Sequence, residues 1–300
     1  MPRYLKTTET IRFEAADGVA TITLARPEQH NALSARLVGE LHDALLEADA
    51  RTDVNVMLLQ GDGKSFCAGY DLTDVYRESA EEGAEQAHAS AYRSFNATVD
   101  DDCWTMEQTQ RQLAIIPALH KPVIAKIHGN CLAGGTDLAF ACDIVLAADD
   151  CRIGFPAVRA NGTPPTNFWM YHCGPQWTKR LLLTGDIILG RDAARIGLVL
   201  DSYKPEELDA ETERLARRIA LIDAELLAAQ KRVVNLAMEL AGAQTLQRLA
   251  LEIDARAHLS RGPRRTRFRE DMAGPGLRKA LKNRDQDFGD SVIRLRYNEG

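Results

Sequence analysis

Apolar positions fall in short blocks along this chain, and the spacing inside each block predicts its element. Ile11 to Phe13 and Val19 to Leu24 flank Asp17-Gly18, a turn pair that accepts positive φ, so the chain is expected to open with a hairpin. Leu37, Val38, Leu41, Ala44, Leu45 and Ala48 recur at helical spacing after a capping region at Asn31 to Ser34. Val54 to Gln60 is almost continuously apolar, as in a central strand covered on both faces. From Lys121 to Ala148 the chain reads KPVIAKIHGNCLAGGTDLAFACDIVLAA. Here Val123 to Ile127 predicts a buried strand, Gly129 to Gly135 a glycine-rich turn, and Thr136 to Ala141 the start of a buried helix. The fold class these blocks imply is α/β.

Further on, Arg152 to Pro156 reads as a strand, and GTPPTNFWMYHCGPQWTKRLLLTG as a proline-rich loop entering a helix. Arg191 to Leu200 reads as a short helix, a glycine stop and a strand. Lys204-Pro205 then marks a boundary between a core over residues 1–205 and a helical lobe over 206–300. In that lobe Leu208, Leu215, Ile219, Ile222, Leu226, Leu227, Val233, Val234, Leu236 and Leu240 recur at roughly helical spacing. They predict either a small bundle or an oligomer contact. Between Asp71 and Leu119 the pattern weakens and turns acidic, as expected of a helical segment that shapes a pocket or covers it. Trp104, Met106 and Ile115 are its candidate apolar lining, or simply core.

Composition narrows the class. The 300 residues are 45% hydrophobic, enough for one large domain or a core with a smaller lobe. No apolar run approaches a membrane span of ~20 residues, and the N-terminus lacks the long apolar segment of a signal peptide, so a cytoplasmic protein is expected. The six cysteines show no C-x-x-C spacing, which points to reduced thiols and no metal centre. A net charge of -6 speaks against nucleic acid as the main partner. The run RGPRRTRFR, residues 261–269, is the exception, and reads as a nucleic-acid patch or as a solvated or inter-subunit surface.

The chemistry concentrates at the turns. A strand feeding a helix through glycines lets the backbone approach a ligand, and the free N–H groups of the first helical turn favour an anionic oxygen. Asp137 stands in that turn, as an acid/base group or as a helix cap. A second turn, GDGKSFCAGYDL over 61–72, fails as a phosphate loop because position 58 is Leu58, and as a dinucleotide fingerprint because position 66 is Phe66. What remains is a small-residue loop with amides to offer a ligand. His128 and His172 are candidate proton carriers, or packed core histidines.

Five segments, RPEQHNALS, KSFCAGYDL, KPVIAKIHGNCLAGGTDLAFACDI, KRLLLTGD and ARIGLVL, resemble the crotonase superfamily of enoyl-CoA hydratases and isomerases, in the same order, from Arg26 to Leu200. The resemblance implies a spiral of ββα units with a C-terminal helical lobe, assembled as a trimer or a dimer of trimers. It implies an acyl-CoA thioester substrate, with coenzyme A part of that substrate and no separate cofactor. Two backbone N–H groups, here those of Tyr70 and Gly134, would hold the thioester oxygen as it becomes enolate-like. Arg26 matches a position near the CoA phosphates, Cys67, Ala68 and Asp71 match the loop around adenine, and Lys282 or Arg284 would reach a neighbouring subunit's nucleotide. Hydratases of the family hold a water between two glutamates. Here those positions are Asp137 and Ala157, and Asp71, Asp74, Asp100 to Asp102, Arg159 or the Tyr70 side chain are candidates to fill the second. The expected activity is enoyl-CoA hydration or dehydration; the alternatives are an isomerase or lyase working with one carboxylate, and a non-catalytic acyl-CoA-binding protein.

Overall fold

The computed structural model describes residues 8–72, 93 and 98–296. The chain opens as expected with β1 (Ile11–Ala16) and β2 (Gly18–Leu24), paired antiparallel around Asp17 at φ 51° and Gly18 at φ 79°. Ser34 caps α1 (Ala35–Ala50) by accepting from Leu37 N at 3.2 Å, and the predicted apolar face of α1 is buried. β3 (Val54–Gly61) and α2 (Val99–Leu113) follow, then β4 (Val123–Ile127), β5 (Asn130–Leu132) and α3 (Gly134–Ala141). The glycine-rich stretch thus contains a strand as well as a turn. β6 (Ile144–Ala148) and β7 (Arg152–Gly154) come next, the latter shorter than expected because Pro156 opens a 3-10 turn over Pro156–Arg159.

α4 (Trp169–Leu182) is broken at Gly174, whose φ is 72°, just before Pro175. After β8 (Ile187–Leu189) and α5 (Gly190–Arg195) the expected glycine stop is a turn through Gly197 at φ 75°, but the strand expected after it, up to Leu200, does not form. Leu198 and Val199 plug the core from that turn, and pairing begins only at β9 (Asp201–Tyr203). The remainder is helical, α6 (Pro205–Ala220), α7 (Ala224–Leu240), α8 (Ala243–His258), α9 (Pro263–Ala273) and α10 (Leu277–Asp285), closed by β10 (Val292–Ile293).

The strands form two sheets, one in the order β1-β2-β3-β4-β6-β9 and one in the order β10-β8-β7-β5. In the larger sheet every pair after the first is parallel, and α1 and α6 both pack on β2 and β3, which explains the continuously apolar β3. α6 therefore belongs to the sheet's cover although it lies beyond Pro205. α7 is tied to the core by Lys231, whose ammonium donates to Ile116 O (2.9 Å), Lys121 O (3.0 Å) and the Asp143 carboxylate (2.8 Å). Among the described residues no helix is long and apolar enough to cross a membrane, and no cluster of three or more metal-ligating side chains occurs.

Candidate active site

The two turns singled out in the sequence meet. The segment after β3 runs extended and is stitched on both sides. Phe66 N donates to His128 O, Cys67 N to Asn130 O and Ala68 N to His30 O, while Leu33 N donates to Gly69 O and Asp71 N to Leu33 O. Alternate amides of an extended chain point opposite ways. With Gly69 and Asp71 facing Leu33, the Tyr70 N–H faces the other side, toward the start of α3. A Cβ on Gly69, at φ 109°, would lie 2.9 Å from Ala133 Cβ and 3.4 Å from Gly134 N, so the two turns touch and residue 69 has room only for glycine. Gly134 is the first residue of α3, so its N–H has no helical partner. Neither Tyr70 N nor Gly134 N donates to another group among the described residues.

Ala133 sets the second amide. It precedes α3 at φ 48°, ψ -121°, held by a bond from its own N–H to Gly154 O at 2.9 Å. This backbone is strained for a residue with a Cβ, and ψ of residue 133 fixes where the Gly134 N–H points.

Asp137 lies one turn into α3, 3% exposed, and caps no backbone group. Its Oδ1 accepts from Thr166 Oγ1 at 2.6 Å and its Oδ2 from the Tyr70 hydroxyl at 2.9 Å. Tyr70 in turn accepts from Gln110 Nε2 of α2 at 2.8 Å. Its ring packs on Gly134, where an added Cβ would lie 2.8 Å from it. Burial pushes the Asp137 carboxyl up to about 7, against the two hydroxyl donors that favour its charged form. Burial, and then the negative charge of Asp137, push the Tyr70 phenol well above its ordinary value. The arrangement is a carboxyl able to give and take a proton near neutral pH beside two unpaired amides.

The other predicted residues separate. Arg26 and Asp71 form an ion pair at 3.0 Å, Arg26 also donating to Ala32 O at 2.6 Å, so both brace the loop after β2. Cys67 is buried between β5 and the Tyr70 turn, and burial raises its thiol to about 12. Ala68 lies beside it, half-buried. Lys282 is exposed on α10, while Arg284 is turned inward onto Asp285 at 2.8 Å and Asn161 at 3.3 Å. Ala157 sits in the 3-10 turn with only a methyl group to offer. Arg159 does not fill its place, being buried against Asp186 (3.0 Å), Asp285 (3.1 Å), Thr184 O (2.9 Å) and the Phe288 ring (3.9 Å to its centroid).

Asp100 pairs with Arg93 at 2.5 Å, Asp101 bonds the capping Thr98, and Asp102 is buried against His258 at 3.2 Å. Asp74 lies outside the described residues. His128 makes an exposed hydrogen bond to Gly63 O, while His172 bonds Phe140 O and burial lowers its imidazole. Trp104 is 45% exposed. Within RGPRRTRFR, Arg265 is buried and donates to Ala160 O, Asn161 O and His258 O, a tie within the chain.

Sequence reasoning missed Gln110 and Thr166, which reach the site from α2 and from the loop before α4, elements whose placement apolar spacing does not announce.

Residues 14–270 match the enoyl-CoA hydratase/isomerase family. The chain belongs to that family, and its fold is crotonase-like. A solved enoyl-CoA hydratase from Mycobacterium smegmatis is similar with a TM-score of 0.84 at 37% identity, covering 94% of this chain and 95% of that one. The crotonyl-CoA hydratase of Syntrophomonas wolfei is 34% identical over 215 residues, 70% of this chain and 75% of its own. The hydroxycinnamoyl-CoA hydratase-lyase of Pseudomonas fluorescens is 29% identical over 250 residues, 82% of this chain and 85% of its own.

Proposed function

We propose that the protein binds an acyl-CoA thioester with its carbonyl oxygen between Tyr70 N–H and Gly134 N–H, and that Asp137 moves the proton next to that carbonyl. The observation that carries this reading is Asp137 itself, a buried carboxyl held by the Thr166 and Tyr70 hydroxyls where the two turns meet, whose Tyr70 and Gly134 amides have no partner among the described residues; burial pushes that carboxyl up to about 7. As negative charge grows on the thioester oxygen, the amides strengthen their hold on it; losing one such donor typically costs ~3 kcal/mol of transition-state stabilisation. Asp137 is buried and needs little driving force either way, because its proton affinity matches neutral pH. The substrate class follows from the family and from relatives named for crotonyl-CoA and hydroxycinnamoyl-CoA. Hydration or dehydration of an enoyl-CoA is the first reading.

A second reading is favoured by Ala157. With a methyl group at that position, one carboxyl shuttling a single proton suffices for a double-bond isomerase or a lyase. Incubation with crotonyl-CoA and with branched and aromatic enoyl-CoAs, following both the conjugated thioester absorbance and the product mass, separates the readings. Hydration bleaches the absorbance and isomerisation shifts the double bond with no mass change. Asp137→Ala should bind the same CoA esters and turn over none. Turnover retained in that variant would sink both readings, and binding without turnover in the parent would leave an acyl-CoA-binding protein.

A further inference from the structure

The 3-10 turn that carries Ala157 leads into Gly162-Thr163-Pro164-Pro165-Thr166, and this segment ends at Asp137, with Thr166 Oγ1 donating to Asp137 Oδ1 at 2.6 Å. A second buried carboxylate holds its other end: Thr163 N donates to Asp254 Oδ1 of α8 at 2.6 Å, with Thr163 Oγ1 at 3.4 Å. Between the two threonines stand Pro164 and Pro165, both buried. Proline fixes φ and restricts the residue before it, so the span is a stiff bracket, and three residues reach at most ~10 Å. Asp254 is packed into this loop so closely that a Cβ on Gly162 would lie 2.4 Å from its Oδ1 and 2.9 Å from His258 Nε2.

We propose that Asp254, brought in from α8, is the second carboxylate of this site, a positioning residue that holds Asp137 through the Thr163 to Thr166 bracket and governs, through its charge, how readily Asp137 ionises. The inference rests on Asp137 being the proton-transfer group. It accounts for a site whose second carboxylate is missing from the turn at Ala157 and which still has one in its wall, reached from another helix.

The groups facing Asp254 agree with this role. From its own helix, His258 Nε2 lies 3.6 Å from Oδ1, and the same ring is held at Nδ1 by Asp102 of α2 at 3.2 Å. From α9, Arg265 grips His258 O and the loop carbonyls of Ala160 and Asn161, and its charge favours the carboxylate. From the site, Asp137 and Tyr70 both feel the negative charge of Asp254, which raises the two of them. Burial of Asp254 raises its own carboxyl in turn, against the charge of His258 and the Thr163 bonds that favour the ionised form.

The test follows the 13C carboxyl resonance of Asp137 in the full-length protein through a pH titration, identified by its loss in Asp137→Asn. Asp254→Asn keeps an oxygen for Thr163 and removes the charge, so the Asp137 midpoint should fall by roughly half a unit or more, while Asp254→Glu should restore it. An unmoved midpoint in folded Asp254→Asn overturns the proposal. In the unsubstituted protein, which needs no variant to fold, the Asp137 resonance should show a second inflection at the Asp254 midpoint; a single one-proton transition overturns the proposal as well. Neither readout requires turnover. Absence of thioester chemistry in the parent therefore counts against the reading of the site's reaction alone, and the carboxylate coupling is decided separately.

Discussion

The Tyr70 hydroxyl donates to Asp137 and so favours its ionised form, against the burial that opposes it. Tyr70→Phe leaves the backbone amide at residue 70 in place and removes one of two donors that stabilise the ionised carboxyl, so the Asp137 midpoint should rise above about 7, by about one unit. The limb of the pH–rate profile that requires ionised Asp137 should move upward with it, opposite in sign to the shift expected for Asp254→Asn. A profile that superposes on the parent would separate the phenol from the chemistry. Stability carries a matching signature. The folded carboxyl, raised from 3.8 to about 7, holds its proton more tightly than the unfolded one, so stability falls as pH rises from about 4 to about 7 and is flat above. At ~1.36 kcal/mol per unit the cost approaches ~4 kcal/mol at pH 8 as an upper limit. Asp137→Asn removes it, and thermal melts should find that variant more stable than the parent at pH 8, with the difference closing toward pH 4. The sequence shows Asp137 and Tyr70 because both stand in motifs. It hides Thr166 and Gln110, whose roles arise only when a loop and α2 are folded over α3.

At the scale of elements, the sequence is legible where burial alone decides. The face of α1, the two-sided burial of β3 and the limits of β4 follow from apolar spacing. It fails where a turn does a strand's work, as Leu198 and Val199 fill core space without pairing. It fails again at Ala133, where nothing in the residue type announces a φ of 48°. That strain is held by the junction of β5 and α3, and it aims the Gly134 amide. Ala133→Gly should raise stability by about 1 kcal/mol, the relief of an unfavourable backbone less the added freedom of the unfolded chain. Gly69→Ala should do the reverse and more, because its Cβ would meet Ala133 at 2.9 Å in a backbone that disfavours any Cβ. Thermal melts of the two variants check both signs, and an Ala133→Gly protein that melts below the parent would show that the junction needs its methyl group for packing.

At the scale of the whole molecule, the helices past Pro205 divide between two partners. α6 covers the large sheet and α8 supplies Asp254 to the site wall, yet α7 buries little beyond Ala228 and Lys231. Its Leu226, Ala229, Val233, Leu236 and Leu240 are exposed and recur at spacings of three and four residues, a seam for another helix, with Val234 of α7 and Leu249 and Ile253 of α8 adding to the exposed apolar surface. The apolar periodicity readable in the sequence falls on an exposed face of α7 rather than on the core. Lys231, pinned to the core, presents this face outward at a fixed angle. Copies of the chain are the expected cover, in the three- or six-fold assembly that the family resemblance implies. Light scattering at micromolar concentration should return three or six times the chain mass. Val233→Glu with Leu240→Glu should lower it toward one chain while the far-ultraviolet spectrum stays that of a folded protein. A parent protein that runs as a monomer would leave this face to some other partner and remove the argument for self-assembly.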